Sequence, residues 1–292
     1  MSFDLSKAIG HKFKPYEVAV DNRELILYAL GIGFQADPLN KDHYNFCYEN
    51  ADDFQAFPTV AVVLAHRQFG ELDTIPGVPK FNKMMLLHGE EKVEVVSPIE
   101  ADTVVVCQEK VIDLQDKKKA TVIVIETEIK DKSSGELRAK VISNLFVRGI
   151  GGFGHKGTFK SVIPPTPKEA PHHTASEKTE KNQAFLYRLC GDRNPLHVDP
   201  QMSSMGGFEV PILHGLCTYG FTARAVFEKY FKDDPMALEQ ISGRFTSHVF
   251  PGETLVVDMW KSGNQIVFNT KTKERGLVVL KGSCTLKQAA KL

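Results

Sequence analysis

The chain has 292 residues, 42% of them hydrophobic, which is enough for one large domain or two of ordinary size with buried cores. Lysine plus arginine equals aspartate plus glutamate at 36 each, and no long stripe of one sign appears, so we do not expect nucleic acid as a partner. The longest clearly apolar run, Pro58 to Ala65, is far shorter than the ~20 residues that a membrane span requires. A soluble globular protein with no membrane span is predicted.

Three features bear on the cellular compartment. The five cysteines (Cys47, Cys107, Cys190, Cys217 and Cys284) form an odd set without C-x-x-C spacing, which argues against a disulfide framework or a zinc site. Met1 to Lys7 lack the charged and then apolar pattern of a signal peptide. A reducing compartment is therefore expected. Ala290-Lys291-Leu292 resembles the Ser-Lys-Leu peroxisomal address, although a chance small-basic-leucine ending gives the same pattern.

The first half of the chain predicts two helices followed by strands. Asp21 to Leu30 has apolar residues at helical spacing and ends at Gly31-Ile32-Gly33, which favours a short helix stopped by glycine. Pro58 opens a second helix, Thr59 to about Phe69, which the glycines and prolines of Gly70 to Pro79 end. Runs rich in valine and isoleucine then predict an antiparallel meander over Leu86 to Val96, Thr103 to Leu114, Ala120 to Lys130 and Glu136 to Val147.

The second half begins after a segment that is typical of an interdomain linker. Gly149 to Thr174 carries clustered glycines and prolines and few core candidates. Thr174-Ala175-Ser176-Glu177 is a capping-box pattern, which predicts a helix running to Cys190. Pro211 starts a longer helix, Leu213 to about Phe231. Strands are predicted at Gly243 to Val249, Thr254 to Lys261, Gln265 to Thr272 and Leu277 to Leu286.

The two halves share an order of elements, which indicates an internal duplication. Pro58 to Pro98 is 40 residues, and Pro211 to Pro251 is also 40. Asp37-Pro38-Leu39-Asn40 stands where the second half has Asn194-Pro195-Leu196-His197, so the first copy lacks the imidazole. One catalytic loop per chain is therefore expected, with the first half kept for binding.

The stretch around Asp192 and His197 is the strongest candidate for chemistry. Gly191-Asp192 and Asn194-Pro195 favour tight turns, so the acid and the imidazole can meet on one compact loop. One reading is structural, with Asp192 capping backbone N–H groups and His197 packing half-buried. The other is that the two side chains activate a water by general acid-base catalysis, with Asn194 fixing the loop or the substrate.

Three other motifs each allow a functional and a structural interpretation. Gly215 precedes the long second-half helix, where its N–H faces outward with the positive end of the helix dipole and suits an oxyanion, although close packing also selects glycine. The glycines of Gly149 to Gly157 lack the Gly-Lys-Ser/Thr ending of a phosphate-binding loop, so a flexible strand exit is the better account. His172-His173 has no spaced carboxylate or cysteine beside it, so no metal site is predicted.

These residues resemble the signature of 2-enoyl-CoA hydratase 2, the R-specific MaoC-like hydratases. Tyr187 to His197 carries the signature, and the likeness extends over nearly the whole chain to the hydratase part of peroxisomal multifunctional enzyme type 2. The other matching stretches are Tyr28-Ala29-Leu30-Gly31, Phe57-Pro58-Thr59, Leu86-Leu87-His88-Gly89-Glu90, Gly151-Gly152-Phe153-Gly154, Pro211 to Cys217 and Phe250-Pro251-Gly252.

The resemblance implies an α+β double hot-dog fold, with two antiparallel sheets that each wrap around a central helix. Residues 1–155 are then a degenerate, acyl-binding N-terminal hot-dog, residues 156–173 a linker, and residues 174–292 the catalytic MaoC-like hot-dog. In the family pattern Asp192 and His197 activate water, Asn194 supports them, and the Gly215 N–H binds the thioester oxygen. The implied acyl-CoA contacts are His88, Gly89, Lys117 and Phe245, with Arg188, Asp199, Glu49 and Asp53 as charged supports. Lys117 lies in a variable turn with Lys118 and Lys119, so the choice of lysine stays open.

The implied activity is reversible hydration of trans-2-enoyl-CoA to (3R)-3-hydroxyacyl-CoA in fatty acid β-oxidation, without metal or redox cofactor. The resemblance also implies a homodimer. Together with this function, Ala290-Lys291-Leu292 predicts a peroxisomal location and an import receptor that reads these residues. Two alternatives remain at this point: a hot-dog acyl-CoA thioesterase, and a non-catalytic acyl-CoA binding module. Chain-length preference and the division of proton transfer between Asp192 and His197 are not determined by the sequence.

Overall fold

A computed structural model describes residues 3–68 and 72–287, which form seven α-helices and ten strands. The helices are α1 Leu5–Ala8, α2 Asn22–Gly31, α3 Tyr44–Cys47, α4 Ala61–Ala65, α5 Gln183–Tyr187, α6 Pro200–Met205 and α7 Gly215–Tyr230. The strands are β1 Tyr16–Val20, β2 Leu86–Val95, β3 Thr103–Asp116, β4 Ala120–Asp131, β5 Leu137–Arg148, β6 His173–Lys178, β7 Leu238–Phe245, β8 Thr254–Ser262, β9 Gln265–Thr272 and β10 Val278–Leu286. None of these helices is long and apolar enough to cross a membrane.

All ten strands belong to one antiparallel sheet in the order β1-β3-β4-β5-β2-β7-β10-β9-β8-β6. The first five come from one half of the chain and the last five from the other. The halves join where β2 pairs with β7, in a register that sets Glu90 opposite Arg244 and Glu94 opposite Gln240. The α+β double hot-dog fold is therefore confirmed, and its two predicted sheets are halves of a continuous one.

The main core cluster includes the buried residues of α7 and α4. All residues of α7 from Leu216 to Phe227 are buried, which marks a helix enclosed on every side. All five residues of α4 are buried as well. A second, smaller apolar cluster, which includes Leu114 and Ile123, is closed by α1 and residues 72–81. The two halves thus each enclose a helix, and α7 is roughly three turns longer than α4.

The two halves also pack against each other through the repeated tyrosine motifs. Gly31, at the end of α2, approaches Tyr187 and Cys190 so closely that a Cβ there would lie 3.3 Å from the Cys190 sulfur. The Gly31 carbonyl accepts hydrogen bonds from Gln183 Nε2 (2.8 Å) and from the Cys217 thiol (3.4 Å). The end of α2 therefore packs directly against the residues that precede Gly191 in the second half.

The predicted helix from Thr174 to Cys190 is wrong over its first part. Residues 173–178 form β6, whose side chains alternate between partly buried and exposed and whose Ala175 pairs with Val257 of β8. The Thr174 hydroxyl donates to Asp258 across the strands (2.8 Å) instead of capping a helix. Helical structure begins only at Gln183, because residues 173–178 pair along one side with β8 and become the edge strand of the sheet.

Other element bounds differ in smaller ways. The helix predicted over Thr59 to Phe69 is a 3₁₀ turn, Pro58–Val60, followed by α4, and it ends before His66. Phe69 to Glu71, including the predicted break at Gly70, lie outside the described residues, as do Ala290-Lys291-Leu292. The strand predicted at Gly243 to Val249 is β7, which ends at Phe245. The meander is also incomplete, since β2 pairs with β5 and β7 and not with β3.

The predicted linker is hydrogen-bonded to strands of the sheet at two places. The backbone N–H groups of Thr158 and Phe159 donate to the buried Asp113 carboxylate at 2.9 and 2.8 Å. Near the other end, Trp260 donates its indole N–H to the Glu169 carbonyl (2.9 Å). The proline-rich composition therefore produces an extended strap in place of a free tether, and the domain limits at 155 and 173 stay predictions.

We expect Gly220→Ala to destabilise the fold by about 1–3 kcal/mol, the usual cost of overpacking a core. A Cβ on Gly220 would overlap the Ile32 side chain and lie 3.2 Å from the Tyr28 hydroxyl. Urea unfolding measures the difference. The control is Lys229→Ala, an exposed position on the same helix, which should change stability by less than about 0.5 kcal/mol. Equal midpoints for the two variants would contradict this account of α7 packing.

Candidate active site

The loop of residues 191–199, here called the Asp192 loop, is built by three successive polar turns. After α5 and the 3₁₀ turn Arg188–Cys190, Gly191 adopts a φ of +144°, which L side chains rarely accept. Asp192 Oδ1 then accepts the Asn194 N–H (3.0 Å), and Asn194 Oδ1 accepts the Leu196 N–H (3.0 Å). Asp199 caps α6 by accepting the Gln201 N–H (2.8 Å). Asx turns of this kind hold a short loop in one shape.

His197 lies at the end of the 3₁₀ turn Pro195–His197 and is buried. Its Nδ1 is 2.8 Å from the Ile212 carbonyl oxygen. Because a carbonyl only accepts, Nδ1 must carry the proton, and Nε2 of the neutral ring then has a free lone pair. Nε2 faces Asp192 Oδ2 at 3.8 Å. That separation is too long for a direct hydrogen bond, so both groups are available to a molecule placed between them.

His214 stacks beneath His197, with ring centroids 3.7 Å apart. Its Nε2 donates to the backbone carbonyl of Asp192 (3.1 Å), which ties the loop to the start of α7. Burial, together with the neighbouring His197 ring, lowers the pKa of His214 to about 3, so this ring is neutral at pH 7. Burial also lowers the pKa of His197 in spite of the nearby Asp192 carboxylate.

Asp192 is half-buried, and burial alone would raise its pKa. The surrounding imidazoles of His214, His197 and His66 and the Asn194 N–H outweigh that effect, so the pKa of Asp192 lies below its ordinary value. Near pH 7 the loop therefore presents an ionised carboxylate opposite an unprotonated imidazole nitrogen. Such a pair can accept, hold and return a proton.

Gly215 is the first residue of α7, so its N–H has no acceptor within the helix. The helix has 16 residues, and the positive end of its dipole lies at Gly215. The Phe245 ring covers this position, because a Cβ on Gly215 would lie 3.2 Å from it. The His88 ring contacts Phe245 in turn, with centroids 5.1 Å apart. The structure thus brings Gly215, Phe245 and His88 into one wall, although they come from different halves of the chain.

Two site residues of the first half, the acid Glu91 and the imidazole His66, were not predicted from the sequence. Glu91, on β2, is buried and contacts His66 Nε2 at 2.9 Å and His88 Nε2 at 2.8 Å. Arg67, which follows His66, lies against Gly191, since a Cβ on Gly191 would be 3.2 Å from Arg67 Nε. An imidazole directly after a wholly apolar helix is the only signal the sequence offers for His66, and it does not reveal Glu91.

The remaining predicted contacts are more scattered. Arg188 is half-buried and its charge acts on His214, whereas Gly89 forms the bulge of β2 opposite Asn144. Lys117 is exposed in the β3–β4 turn, where its N–H donates to Ala120. Glu49 and Asp53 are exposed after α3. No hydrogen bond within residues 3–68 and 72–287 joins the last three side chains to the Asp192 loop.

Two groups have the residue types of metal ligands: His66, His88 and Glu91, and Asp192, His197 and His214. In the first group both Nε2 atoms point at carboxylate oxygens at hydrogen-bond distance. In the second, His197 and His214 each use a ring nitrogen on a backbone carbonyl. Hydrogen bonding therefore accounts for both arrangements. Beside the loop, Tyr187 Oη, His214 Nδ1 and Thr218 Oγ1 are buried polar atoms with no partner among the described residues, which is unusual outside functional sites.

The buried neutral His214 predicts a pH-dependent stability. In the unfolded chain histidine has a pKa of ~6.5, whereas in the fold the pKa of His214 is about 3. Between these values the unfolded state binds one more proton, so stability falls as the pH drops through this range. Over pH ~6 to ~4, His214→Gln should lose about 1.4 kcal/mol per pH unit less than the wild type. Urea unfolding at several pH values measures both slopes, and identical slopes would contradict a neutral His214.

Comparison with known proteins follows the same division into halves. Residues 18–149 match the family model described as MFE-2 hydratase 2 N-terminal domain. Residues 162–282 match the model described as MaoC like domain. The first match covers the half of the sheet that ends at β2, and the second covers the half that begins at β7.

Individual proteins match over nearly the full length. The chain is 41% identical to the probable enoyl-CoA hydratase 2 of Dictyostelium discoideum, covering 96% of this chain and 95% of that protein. It is 37% identical to the enoyl-CoA hydratase 2, peroxisomal, of Arabidopsis thaliana, covering 96% and 94%. The crystal structure of a MaoC-like dehydratase from Phytophthora capsici superposes with a TM-score of 0.86 at 33% identity, covering 98% and 99%. Together these matches show that the chain belongs to the enoyl-CoA hydratase 2 family of MaoC-like proteins.

Proposed function

We propose that this protein reversibly hydrates trans-2-enoyl-CoA thioesters to (3R)-3-hydroxyacyl-CoA in peroxisomal fatty acid β-oxidation. The observation that carries the proposal is the pairing of the Asp192 carboxylate with the unprotonated Nε2 of His197, 3.8 Å apart, beside the first N–H of α7. The names of the Dictyostelium and Arabidopsis relatives support the substrate class and the reaction.

Water is activated between the two side chains. The bond from His197 Nδ1 to the Ile212 carbonyl holds the ring in the tautomer whose Nε2 accepts a proton. The water oxygen bonds to C3 of the enoyl group as one of its protons passes to the pair, and a proton is returned to C2. One water is consumed and the thioester stays intact. Either Asp192 or His197 accepts the first proton, and both are needed to position the water.

The negative charge that develops on the thioester oxygen is stabilised at the start of α7. The Gly215 N–H is the donor, and the helix dipole adds to the positive potential there. The proposal places the thioester beside the wall formed by Gly215, Phe245 and His88, with the first half of the chain supplying the acyl contacts. Asn194 acts through the loop, since its Oδ1 is occupied by the Leu196 N–H.

The peroxisomal location is proposed from the Arabidopsis relative, which is named as peroxisomal. The targeting role of Ala290-Lys291-Leu292, its import receptor and the homodimer stay predictions. Lys117 likewise stays a predicted acyl-CoA contact, and Arg188, Asp199, Glu49 and Asp53 stay predicted charged supports.

Asp192→Asn and His197→Ala should each lower kcat by ~10²- to 10⁴-fold, because general acid-base catalysis contributes on that scale. The absorbance loss of crotonyl-CoA measures turnover, and circular dichroism checks that the fold is retained. Asp37→Asn is the control for the same chemical change: Asp37 stands where the second half has Asn194, it accepts the Leu39 N–H (2.9 Å), and it contacts no imidazole within the part of the chain that the structure describes. Near-wild-type turnover in either loop variant would sink the mechanism.

The reaction itself is tested by its products. With crotonyl-CoA and decenoyl-CoA we expect loss of the conjugated double bond, no release of free thiol, and a product of R configuration at C3. A thiol reagent and chiral chromatography provide the two readouts. Release of CoA thiol would indicate a hot-dog thioesterase instead, and tight binding of enoyl-CoA without turnover would indicate a binding module.

A further inference from the structure

Glu91 is a buried carboxylate that contacts two imidazoles at once. It lies in the middle of β2 and is 1% exposed. Its Oε1 is 2.9 Å from His66 Nε2, and its Oε2 is 2.8 Å from His88 Nε2. His66 follows α4, whereas His88 comes three residues before Glu91 on its own strand. The carboxylate thus connects the central helix of the first half to the strand at the junction of the halves.

This arrangement fixes the protonation of the cluster. An ionised carboxylate only accepts hydrogen bonds, so both imidazoles must carry their protons at Nε2. A charge in so dry a place is costly unless it is paired. Burial would raise the pKa of Glu91, but the two imidazoles hold it at about 2. Burial would likewise lower the pKa of His66, but Glu91, Asp192 and Glu109 raise it above the ordinary value.

The cluster reaches the proposed active site by two routes. His88 packs its ring on Phe245, and Phe245 covers Gly215. His66 acts by charge, since it is one of the groups that lower the pKa of Asp192. Glu91 is therefore connected through His88 to the wall proposed to contact the thioester, and through His66 to Asp192, the acid proposed to activate water.

We propose that Glu91 is a positioning residue for hydration: it fixes His88 against Phe245, and it holds His66 by its Nε2 proton in the orientation in which a protonated imidazole favours the ionised form of Asp192. This inference rests on the hydratase function proposed above. Glu91 itself touches neither water nor substrate, and it acts through the two imidazoles.

The groups around His66 and Asp192 decide the direction of the effect. His66 is faced by Glu91 and His88 from β2, Glu109 from β3, Ser143 from β5 and Asp192 from the loop. The acidic groups outnumber the one neighbouring imidazole, so a cation is favoured there. Asp192 is faced by His197, His214, His66 and Tyr187, and by the Asn194 N–H. Burial lowers the pKa of His197 and of His214, whereas the pKa of His66 is raised, chiefly by Glu91, so His66 is the imidazole of this set whose protonated form Glu91 favours.

The test is the pH profile of kcat/KM for crotonyl-CoA hydration. Without the Glu91 charge His66 loses its proton, and Asp192 becomes harder to ionise. Glu91→Gln should therefore move the acid limb to higher pH by about half to one unit, which is less than the ~1 to 3 units expected for a charge in direct contact. An unshifted acid limb in an active Glu91→Gln variant would overturn the inference.

Two further variants separate the two routes and guard against misfolding of Glu91→Gln. His66→Gln should shift the acid limb in the same direction, and the double variant should shift it no further than either single one, because the two residues act as a unit. His88→Gln should raise KM while leaving the acid limb in place. Shifts of His66→Gln and Glu91→Gln that simply add would count against a shared cation.

The matched control is Glu90→Gln, one residue away on the opposite face of β2. Glu90 pairs with Arg244 (2.6 Å) and Asn144 (2.9 Å) and faces none of these imidazoles. Its acid limb should coincide with that of the wild type. A wild-type chain that does not hydrate crotonyl-CoA or decenoyl-CoA would overturn the proposed function and this inference with it, whereas an active wild type with no shift in Glu91→Gln or His66→Gln overturns the inference alone.

Discussion

The hydrogen bond from His197 Nδ1 to the Ile212 carbonyl determines what the Asp192 loop can do. Because this bond, at 2.8 Å, requires a proton on Nδ1, the neutral ring has its unprotonated nitrogen at Nε2, which faces Asp192. Ile212 lies just before α7, and His214 ties the same region back to the Asp192 carbonyl. The turn that presents the acid and the helix start that presents the Gly215 N–H are therefore held in one frame. If the His197 ring could flip, its unprotonated nitrogen would no longer be held in a fixed position relative to Asp192 and the Gly215 N–H.

Duplication explains why one such frame exists and the other does not. In the first half, Asp37 makes the same turn to Leu39 that Asn194 makes to Leu196. Gln35 occupies the place of Asp192 and donates its amide to the Asp37 and Asn40 carbonyls of its own loop. The first loop thus has an amide where the second has the Asp192 carboxylate, and its nearby imidazole, His43, is buried with both ring nitrogens in contact with Gln35 N–H and Glu228. Its half contributes instead through β2, where Glu91 contacts His88 and the His88 ring contacts Phe245 of β7.

Sequence patterns predicted the parts of this structure that local chemistry decides. The helix after Asp21, β8, β9, and the position of the Asp192 loop follow from spacing, turn residues and alternation. The error at Thr174 to Glu177 arose because the same residues suit a helix cap and an edge strand, and only the presence of β8 decides between them. The Glu91 cluster could not be predicted, since His66 and Glu91 are 25 residues apart and meet only through the register of β2. Resemblance supplied residue roles, but not the tautomer or the second route to Asp192.

The most direct test of the account is the protonation state of His197. In protein labelled with ¹⁵N at histidine, and with His197→Gln used to assign its resonances, the ring nitrogens report which one carries the proton. At pH 7 we expect a neutral ring with a protonated Nδ1 and an unprotonated Nε2. A protonated Nε2, or a fully protonated imidazolium at that pH, would contradict the proposed base and with it the central claim.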